Sequence, residues 1–152
     1  NDWIISYGDI VYHPLVLQKL IASQDPISII TDVEWERYWE NRMEDPLKDA
    51  ETFRWDAISR RIFELGKKPK TRTEIQGQYI GLFKISAAYG QIFKETYRKF
   101  CATQNNNGEQ AYMTDFLQFL IDQQQPVFGV PIHNNWQEFD TPADLQVKVG
   151  FL

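Results

Sequence analysis

Two apolar, β-branched segments lie near the start of the chain, with an amphipathic segment between them. Residues 3–7 and 27–31 have the length and composition of buried strands. His13-Pro14 marks a helix start, and the residues that follow supply one apolar face: Leu15, Leu17, Leu20 and Ile21. Strand, helix, strand is the βαβ pattern of a parallel sheet covered by helices. An α/β protein is therefore predicted, with Asp9 at the carboxyl end of the first strand, where such sheets bind ligands.

A second informative stretch runs from Trp136 to Leu145. In its first half, successive residues are predicted to point to opposite sides, as in a strand, with Trp136, Glu138 and Asp140 on one side. Thr141 then suits a helix cap, Pro142 suits the first turn, and Asp144 stands three residues after the cap, close to a capping box. Glu138 and Asp140 are thus predicted to face a shared pocket where a strand ends and a helix begins.

Between these two stretches, the pattern of apolar residues predicts further strands and helices. Strands are expected at 50–55, 58–65, 78–85 and 126–132, and helices at 34–42, at 86–103 and from Thr114 onward. No internal repeat or linker interrupts them. One domain spanning residues 1–152 is therefore expected.

Composition limits the classes of function. The 152 residues are 43% hydrophobic and 24% charged, as in ordinary soluble domains, and can form one core. The net charge of −5 argues against a nucleic-acid surface. Cys101 is the single cysteine, so a reducing compartment, the cytoplasm, is expected. No apolar run approaches the ~18–20 residues that a membrane span needs, and no signal peptide is evident.

Asp9 and Asp140 could form an oxygen-rich site if both point into one crevice. Such a site suits Mg²⁺, which takes one or two carboxylates together with substrate phosphates and water. The alternative is structural: Asp9 ends a turn after Gly8, and Asp140 only supports a helix start. Spacing alone leaves both interpretations open.

The basic and aromatic candidate residues each allow a functional and a structural interpretation. Lys67 and Lys68, before Pro69, could meet a substrate phosphate or could simply occupy a solvated turn. Trp35, Trp39 and Tyr112 could offer aromatic faces to a cationic ligand, or could pack in the core as tryptophan usually does.

Five segments in order resemble a known superfamily. They are Ser6-Tyr7-Gly8-Asp9-Ile10-Val11, Glu64-Leu65-Gly66-Lys67-Lys68-Pro69, Gln78-Tyr79-Ile80-Gly81-Leu82-Phe83, Met113-Thr114-Asp115 and Trp136-Gln137-Glu138-Phe139-Asp140-Thr141-Pro142. Together they resemble the C-terminal part of the nucleoside-triphosphate transferase (nucleotidylyltransferase) domain, in its phosphocholine cytidylyltransferase-like branch. The resemblance runs through essentially the whole chain.

The resemblance implies a Rossmann-like nucleotide-diphospho-sugar transferase fold with a mixed sheet. It implies Mg²⁺-dependent transfer of a nucleotidyl group, CMP from CTP, to a phosphorylated acceptor such as phosphocholine, with release of pyrophosphate. Asp9 and Asp140 correspond to the metal ligands, assisted by Glu138, and Lys68, with its neighbour Lys67, corresponds to an acceptor-phosphate contact. Trp35, Trp39 and Tyr112 are the expected surround of a choline group.

One feature of the superfamily is missing from the sequence. Members begin with a strand and a Gly-rich loop that hold the nucleotide, and this chain starts after that segment. A fragment, inactive by itself, is therefore expected, with a sheet edge open to the missing N-terminal part or to a second copy of the chain. Two alternatives stay open: a sugar-1-phosphate nucleotidylyltransferase, and a non-catalytic binding or regulatory module on the same fold.

Overall fold

The centre of the molecule is a mixed four-stranded sheet. The computed structural model describes residues 1–42, 46–48, 50–103 and 111–146. In the sheet, β1 (Trp3–Ser6) pairs antiparallel with β6 (Gln78–Ile85), β6 pairs antiparallel with β3 (Ile27–Asp32), and β3 pairs parallel with β7 (Val127–Ile132). All six residues of β3 are buried, as are seven of the eight in β6. Such continuous burial requires cover on both faces.

Helices supply that cover. On one face, α1 (Pro14–Ala22) and α2 (Trp35–Arg42) contribute to a core around Leu20 and Ile30. On the other face, α3 (Gly90–Thr103) and α4 (Met113–Asp122) contribute to a core around Phe83, Phe116 and Leu120. None of the helices in the described part of the chain has the length and apolar character that a membrane crossing requires.

Local sequence signals explain where these helices begin. His13 Nδ1 accepts a hydrogen bond from the Leu15 N–H at 3.2 Å, and Pro14 takes the first helical position of α1. Asp32 Oδ1 accepts from the Glu34 N–H at 2.9 Å just before α2. At α4, Asp115 Oδ2 accepts from the Tyr112 N–H at 3.0 Å.

Two small antiparallel pairs complete the fold. The hairpin of β4 (Phe53–Trp55) and β5 (Ile62–Leu65) packs against α4. The ribbon of β2 (Ile10–Tyr12) and β8 (Trp136–Glu138) joins the early and late parts of the chain, with Ile10 opposite Glu138. Short 3₁₀ turns lie at Pro46–Lys48, Arg72–Glu74, Ala87–Tyr89 and Pro142–Gln146.

The α/β class and the mixed sheet are confirmed, with local corrections. The two strands predicted around α1, β1 and β3, are not neighbours, because β6 lies between them and runs antiparallel to both; β2, which directly precedes α1, pairs with β8 instead. The hairpin strands are shorter than predicted, since Ile58 is 94% exposed in the turn and Arg60 has a left-handed φ of 64°. The predicted helix after Thr141 is a 3₁₀ turn, and the one after Ser86 begins as a 3₁₀ turn.

Candidate functional site

The ribbon of β2 and β8 brings three carboxylates together. Asp9 directly precedes β2, and its carbonyl accepts a hydrogen bond from the Phe139 N–H at 2.9 Å. Carboxylate oxygens of Asp9, Glu138 and Asp140 all lie within 4.8 Å of one another. Asp9 and Asp140, which are remote in sequence, therefore lie close together in the fold, with Glu138 beside them.

A fourth carboxylate, that of Asp144, fixes the loop that carries Asp140. Asp144 is buried, and its Oδ2 accepts hydrogen bonds from the Asp140 N–H at 3.0 Å and the Thr141 N–H at 2.7 Å. The Thr141 hydroxyl donates to the same oxygen at 3.0 Å. The sequence predicted this cap, and its effect is to hold the backbone of Asp140 beside the ribbon.

The ribbon is also tied to the end of the central strand β3. Asp32, fully buried, accepts hydrogen bonds from the Trp136 Nε1–H at 2.8 Å and from the Asn134 N–H at 3.0 Å. Burial raises the pKa of the Asp32 carboxyl, and these hydrogen bonds offset part of that rise. Trp136 is thereby positioned two residues before Glu138. Sequence reasoning did not single out Asp32 and missed this link.

Two of the three carboxylates line a cleft of about 190 Å³, and Asp9 is not part of that lining. Glu138 and Asp140 line it, and so do Trp39, Tyr112 and Trp136. Its wall is completed by residues that sequence reasoning did not single out for this purpose: Tyr7, Glu51, Gln78, Tyr79, Ile80, Gly81 and Thr114. Tyr7 directly follows β1, Glu51 precedes β4, and the others lie in β6 and at the start of α4, so only the tertiary pairing brings them together.

Tyr7 is held in the cleft wall by an unusually close approach to the backbone. Its N–H donates to the Gly81 carbonyl at 2.9 Å, and Gly81 has a φ of +82°. A Cβ at position 81 would lie 2.5 Å from the Tyr7 ring. Burial raises the pKa of the Tyr7 phenol, and the negative charges of nearby carboxylates, Glu51 first among them, raise it further.

Two of the three expected aromatic residues reach the cleft. Trp39 lines it although it is 3% exposed, and Tyr112 lines it with 78% of its surface exposed. Trp35 does not line it: the residue is 4% exposed, packs in the core, and donates its indole N–H to the Ile75 carbonyl at 3.1 Å. The expectation for Trp35 is corrected, because its polar and apolar atoms both serve the core.

The two lysines also lie away from the cleft lining. Lys67 pairs with Glu64 at 2.9 Å, and the Lys68 ammonium donates to the Lys48 carbonyl. The interpretation of residues 67–68 as a solvated turn fits both positions, since both lysines are exposed. The predicted contact with a substrate phosphate is not supported by their placement.

The donor set of the acidic group fits a hard divalent cation. Three carboxylate residues offer oxygen ligands only, which Mg²⁺ prefers, and two of them are exposed, so water and substrate oxygens can complete the coordination. Exposed acids also gather without any cation. The role of Asp9 and Asp140 as metal ligands therefore stays a prediction.

Comparisons with known proteins agree with the fold. No protein-family model matches the chain. A CTP:phosphoglutamine cytidylyltransferase from Campylobacter jejuni is 41% identical over 152 residues, an alignment that covers 98% of this chain and 59% of that protein. The chain thus spans little more than half the length of this relative.

Two solved structures share the architecture at low sequence identity. The inositol-1-phosphate CTP transferase from T. maritima superposes with a TM-score of 0.61 at 18% identity, covering 94% of this chain and 51% of that one. A nucleoside-diphosphate-sugar pyrophosphorylase from Vibrio cholerae gives 0.58 at 13% identity, covering 95% and 54%. The chain has the nucleotide-diphospho-sugar transferase fold of these solved structures.

Proposed function

We propose that the full-length protein is a nucleotidyltransferase that transfers CMP from CTP to a phosphorylated small-molecule acceptor and releases pyrophosphate. One observation carries the proposal: Asp9, Glu138 and Asp140 converge, and two of them line a cleft of about 190 Å³. The 41% identical relative that is named as a cytidylyltransferase supports CTP as the donor. The sequence resemblance adds phosphocholine as a candidate acceptor, and the name of the relative adds phosphoglutamine.

For this reaction the protein has to align the two substrates and neutralise their negative charge. A phosphate oxygen of the acceptor attacks the α-phosphorus of CTP, a new P–O bond forms, and the bond to pyrophosphate breaks. The acceptor phosphate is already a nucleophile, so no triad is needed. Mg²⁺, held by Asp9 and Asp140 with help from Glu138, would neutralise charge on the triphosphate.

The chain's own residues would position this cation and the acceptor. Asp144 holds the Asp140 backbone, and Asp32 holds Trp136 beside Glu138. The cleft wall, with Trp39 and Tyr112, would enclose the acceptor and exclude water from it.

The direct test combines metal binding with turnover in the full-length protein. Mn²⁺ binding is measured by electron paramagnetic resonance, and pyrophosphate release is measured with CTP, Mg²⁺ and a panel of phosphorylated acceptors. Asp9→Asn and Asp140→Asn should each weaken Mn²⁺ binding by at least about tenfold, because each removes one anionic ligand. The same two variants should lower turnover.

A matched control is Asp56→Asn, which changes a solvent-exposed aspartate in the hairpin turn away from the cleft lining. It should leave both readouts unchanged. If neither Asp9→Asn nor Asp140→Asn alters metal binding, the proposed site fails, and a non-catalytic module becomes the better description. The assay on the 152-residue chain alone tests the expectation that this part turns over little by itself.

A further inference from the structure

The central strand β3 ends in a buried carboxylate that holds two separate segments of the chain. Asp32 is the last residue of β3 and has 0% exposure. Its Oδ2 accepts the indole N–H of Trp136 at 2.8 Å, and its Oδ1 accepts the backbone N–H groups of Asn134 at 3.0 Å and Glu34 at 2.9 Å. Because each oxygen has its own donor, the carboxylate is fixed in one orientation.

The hydrogen bond from the Trp136 indole holds the strand that carries one member of the acidic group. Trp136 and Glu138 are the two ends of β8, and residues i and i+2 of a strand point to the same side. Both residues line the cleft. Trp136 is 2% exposed, so a buried indole bonded to a fixed carboxylate anchors β8 two residues before Glu138.

Each acid of the group is held through a different contact. The Asp140 N–H donates to the Asp144 carboxylate, and β2, which follows Asp9, pairs with β8. For Glu138, the structure provides the pairing of β8 with β2 and, two residues earlier, the bond to Asp32. A change at Asp32 is therefore expected to act on the acidic group through Glu138.

The two oxygens of Asp32 can be separated by one substitution. Oδ1 serves the Glu34 N–H directly before α2, the helix that carries Trp39 to the cleft. Asparagine has a single side-chain oxygen, which the two backbone N–H groups at Oδ1 require. Its NH₂ group then faces the Trp136 indole N–H, donor against donor. Asp32→Asn therefore breaks the bond to Trp136 and keeps the cap of α2.

We propose that Asp32 is a positioning residue that sets the affinity of the acidic group for a divalent cation, because it anchors Trp136 and thereby orients Glu138. The inference rests on the proposed function for the cation site. It extends that site from residues that touch the ion to a buried residue that does not. Removing an outer partner of a metal ligand typically lowers metal affinity by about 10–100-fold. Asp32 acts through Trp136 and not on a ligand directly, so a smaller change is expected, about three- to tenfold.

The test breaks the bond from either side in the full-length protein. Asp32→Asn and Trp136→Phe should each weaken Mn²⁺ binding, measured by electron paramagnetic resonance, by about three- to tenfold. The double variant should lose no more than about twofold beyond the weaker-binding single variant, because both changes remove the same bond. In the metal-free protein, the indole N–H resonance that is lost in Trp136→Phe should shift in Asp32→Asn.

Trp35→Phe is the matched control. Trp35 is 4% exposed and donates its indole N–H to the Ile75 carbonyl at 3.1 Å, so the change also removes a buried indole hydrogen bond, but away from the cleft lining. Its Mn²⁺ affinity should stay within about twofold of wild type. The comparison of Trp136→Phe with Trp35→Phe is complete by itself if Asp32→Asn does not fold.

Turnover distinguishes positioning from a general loss of folded protein. Asp32→Asn should raise the Mg²⁺ concentration for half-maximal pyrophosphate release by about three- to tenfold and leave kcat at saturating Mg²⁺ within about twofold of wild type. A smaller folded fraction would instead lower kcat and leave that Mg²⁺ concentration unchanged, and this result would overturn the positioning role.

The outcomes separate the role of Asp32 from the proposed reaction. Unchanged Mn²⁺ affinity in Trp136→Phe or in folded Asp32→Asn, or an equal loss in Trp35→Phe, would overturn the positioning role and leave the proposed function standing. Weaker Mn²⁺ binding in Asp32→Asn and Trp136→Phe, without pyrophosphate release by the wild-type protein from any acceptor, supports the positioning role and contradicts the proposed function.

Discussion

The contact between Gly81 and Tyr7 provides a quantitative test of how the cleft wall is built. Gly81→Ala places a Cβ 2.5 Å from Cγ and Cδ2 of the Tyr7 ring, at a backbone φ of +82°. The left-handed backbone costs an alanine about 1–2 kcal/mol, and displacing a packed ring costs about 1–3 kcal/mol more. Together they predict that the free energy of unfolding falls by about 2–5 kcal/mol.

Urea denaturation followed by tryptophan fluorescence measures this loss. Gly8→Ala is the matched control, because no atom lies within 4 Å of a Cβ there; its effect should stay within about 0.5 kcal/mol. In a Tyr7→Ala background the ring is absent, so Gly81→Ala should cost only the backbone share, about 1–2 kcal/mol. A loss below about 1 kcal/mol in the wild-type background, or the same loss in both backgrounds, would refute the steric reasoning.

Three further perturbations test the core and the buried polar groups. Asp32→Ala removes the acceptor of the Trp136 indole and should lower the free energy of unfolding by about 3 kcal/mol or more in urea melts, because it leaves buried donors unpaired; a loss below about 1 kcal/mol would contradict the link. Burial raises the pKa of the Tyr79 phenol, so the neutral phenol contributes its full stability below the ordinary tyrosine pKa, and this stability is lost as the pH rises through the raised pKa. Thermal melts from pH 8 to 12 should therefore show weaker alkaline destabilisation in Tyr79→Phe than in wild type. Identical dependence of stability on pH in the two proteins would contradict this reasoning. Leu120→Ala, at a position with 0% exposure, should lower the free energy of unfolding, followed by thermal melting, by about 2–5 kcal/mol. Leu145→Ala, at a position that is 70% exposed, is the control and should leave the free energy of unfolding almost unchanged. Similar losses in the two variants would contradict the assignment of Leu120 to the core.

Sequence alone predicted the elements whose pattern is local. The strand at 78–85 coincides with β6, because its continuous apolar run reflects burial on both faces. The cap formed by Thr141 and Asp144 is also local, since its donors and acceptor lie within five residues. Spacing alone left open whether Asp9 and Asp140 meet, and only the family resemblance implied it; the pairing of β2 with β8 brings them together.

Features that depend on side-chain direction or tertiary pairing could not be read from the pattern. Trp35 and Trp39 lie one turn apart on α2 and are buried almost equally, yet only Trp39 lines the cleft. Periodicity identifies the buried side of a helix but does not say which of its residues ends at a pocket. Glu51 and Gln78 are brought to one wall by the docking of separate segments, and no spacing in the sequence encodes that proximity.

The ribbon of β2 and β8 gives the acidic group a mechanical consequence. Almost the whole described chain lies between Asp9 and Asp140. The pairing of β2 with β8 therefore closes a very long loop, and the loss of chain entropy on closure opposes the pairing. If the proposed cation binds to Asp9 and Asp140, its binding free energy would add to the stability of the folded state by mass action. Removal of that cation would then also weaken the pairing of the strands that bring its ligands together.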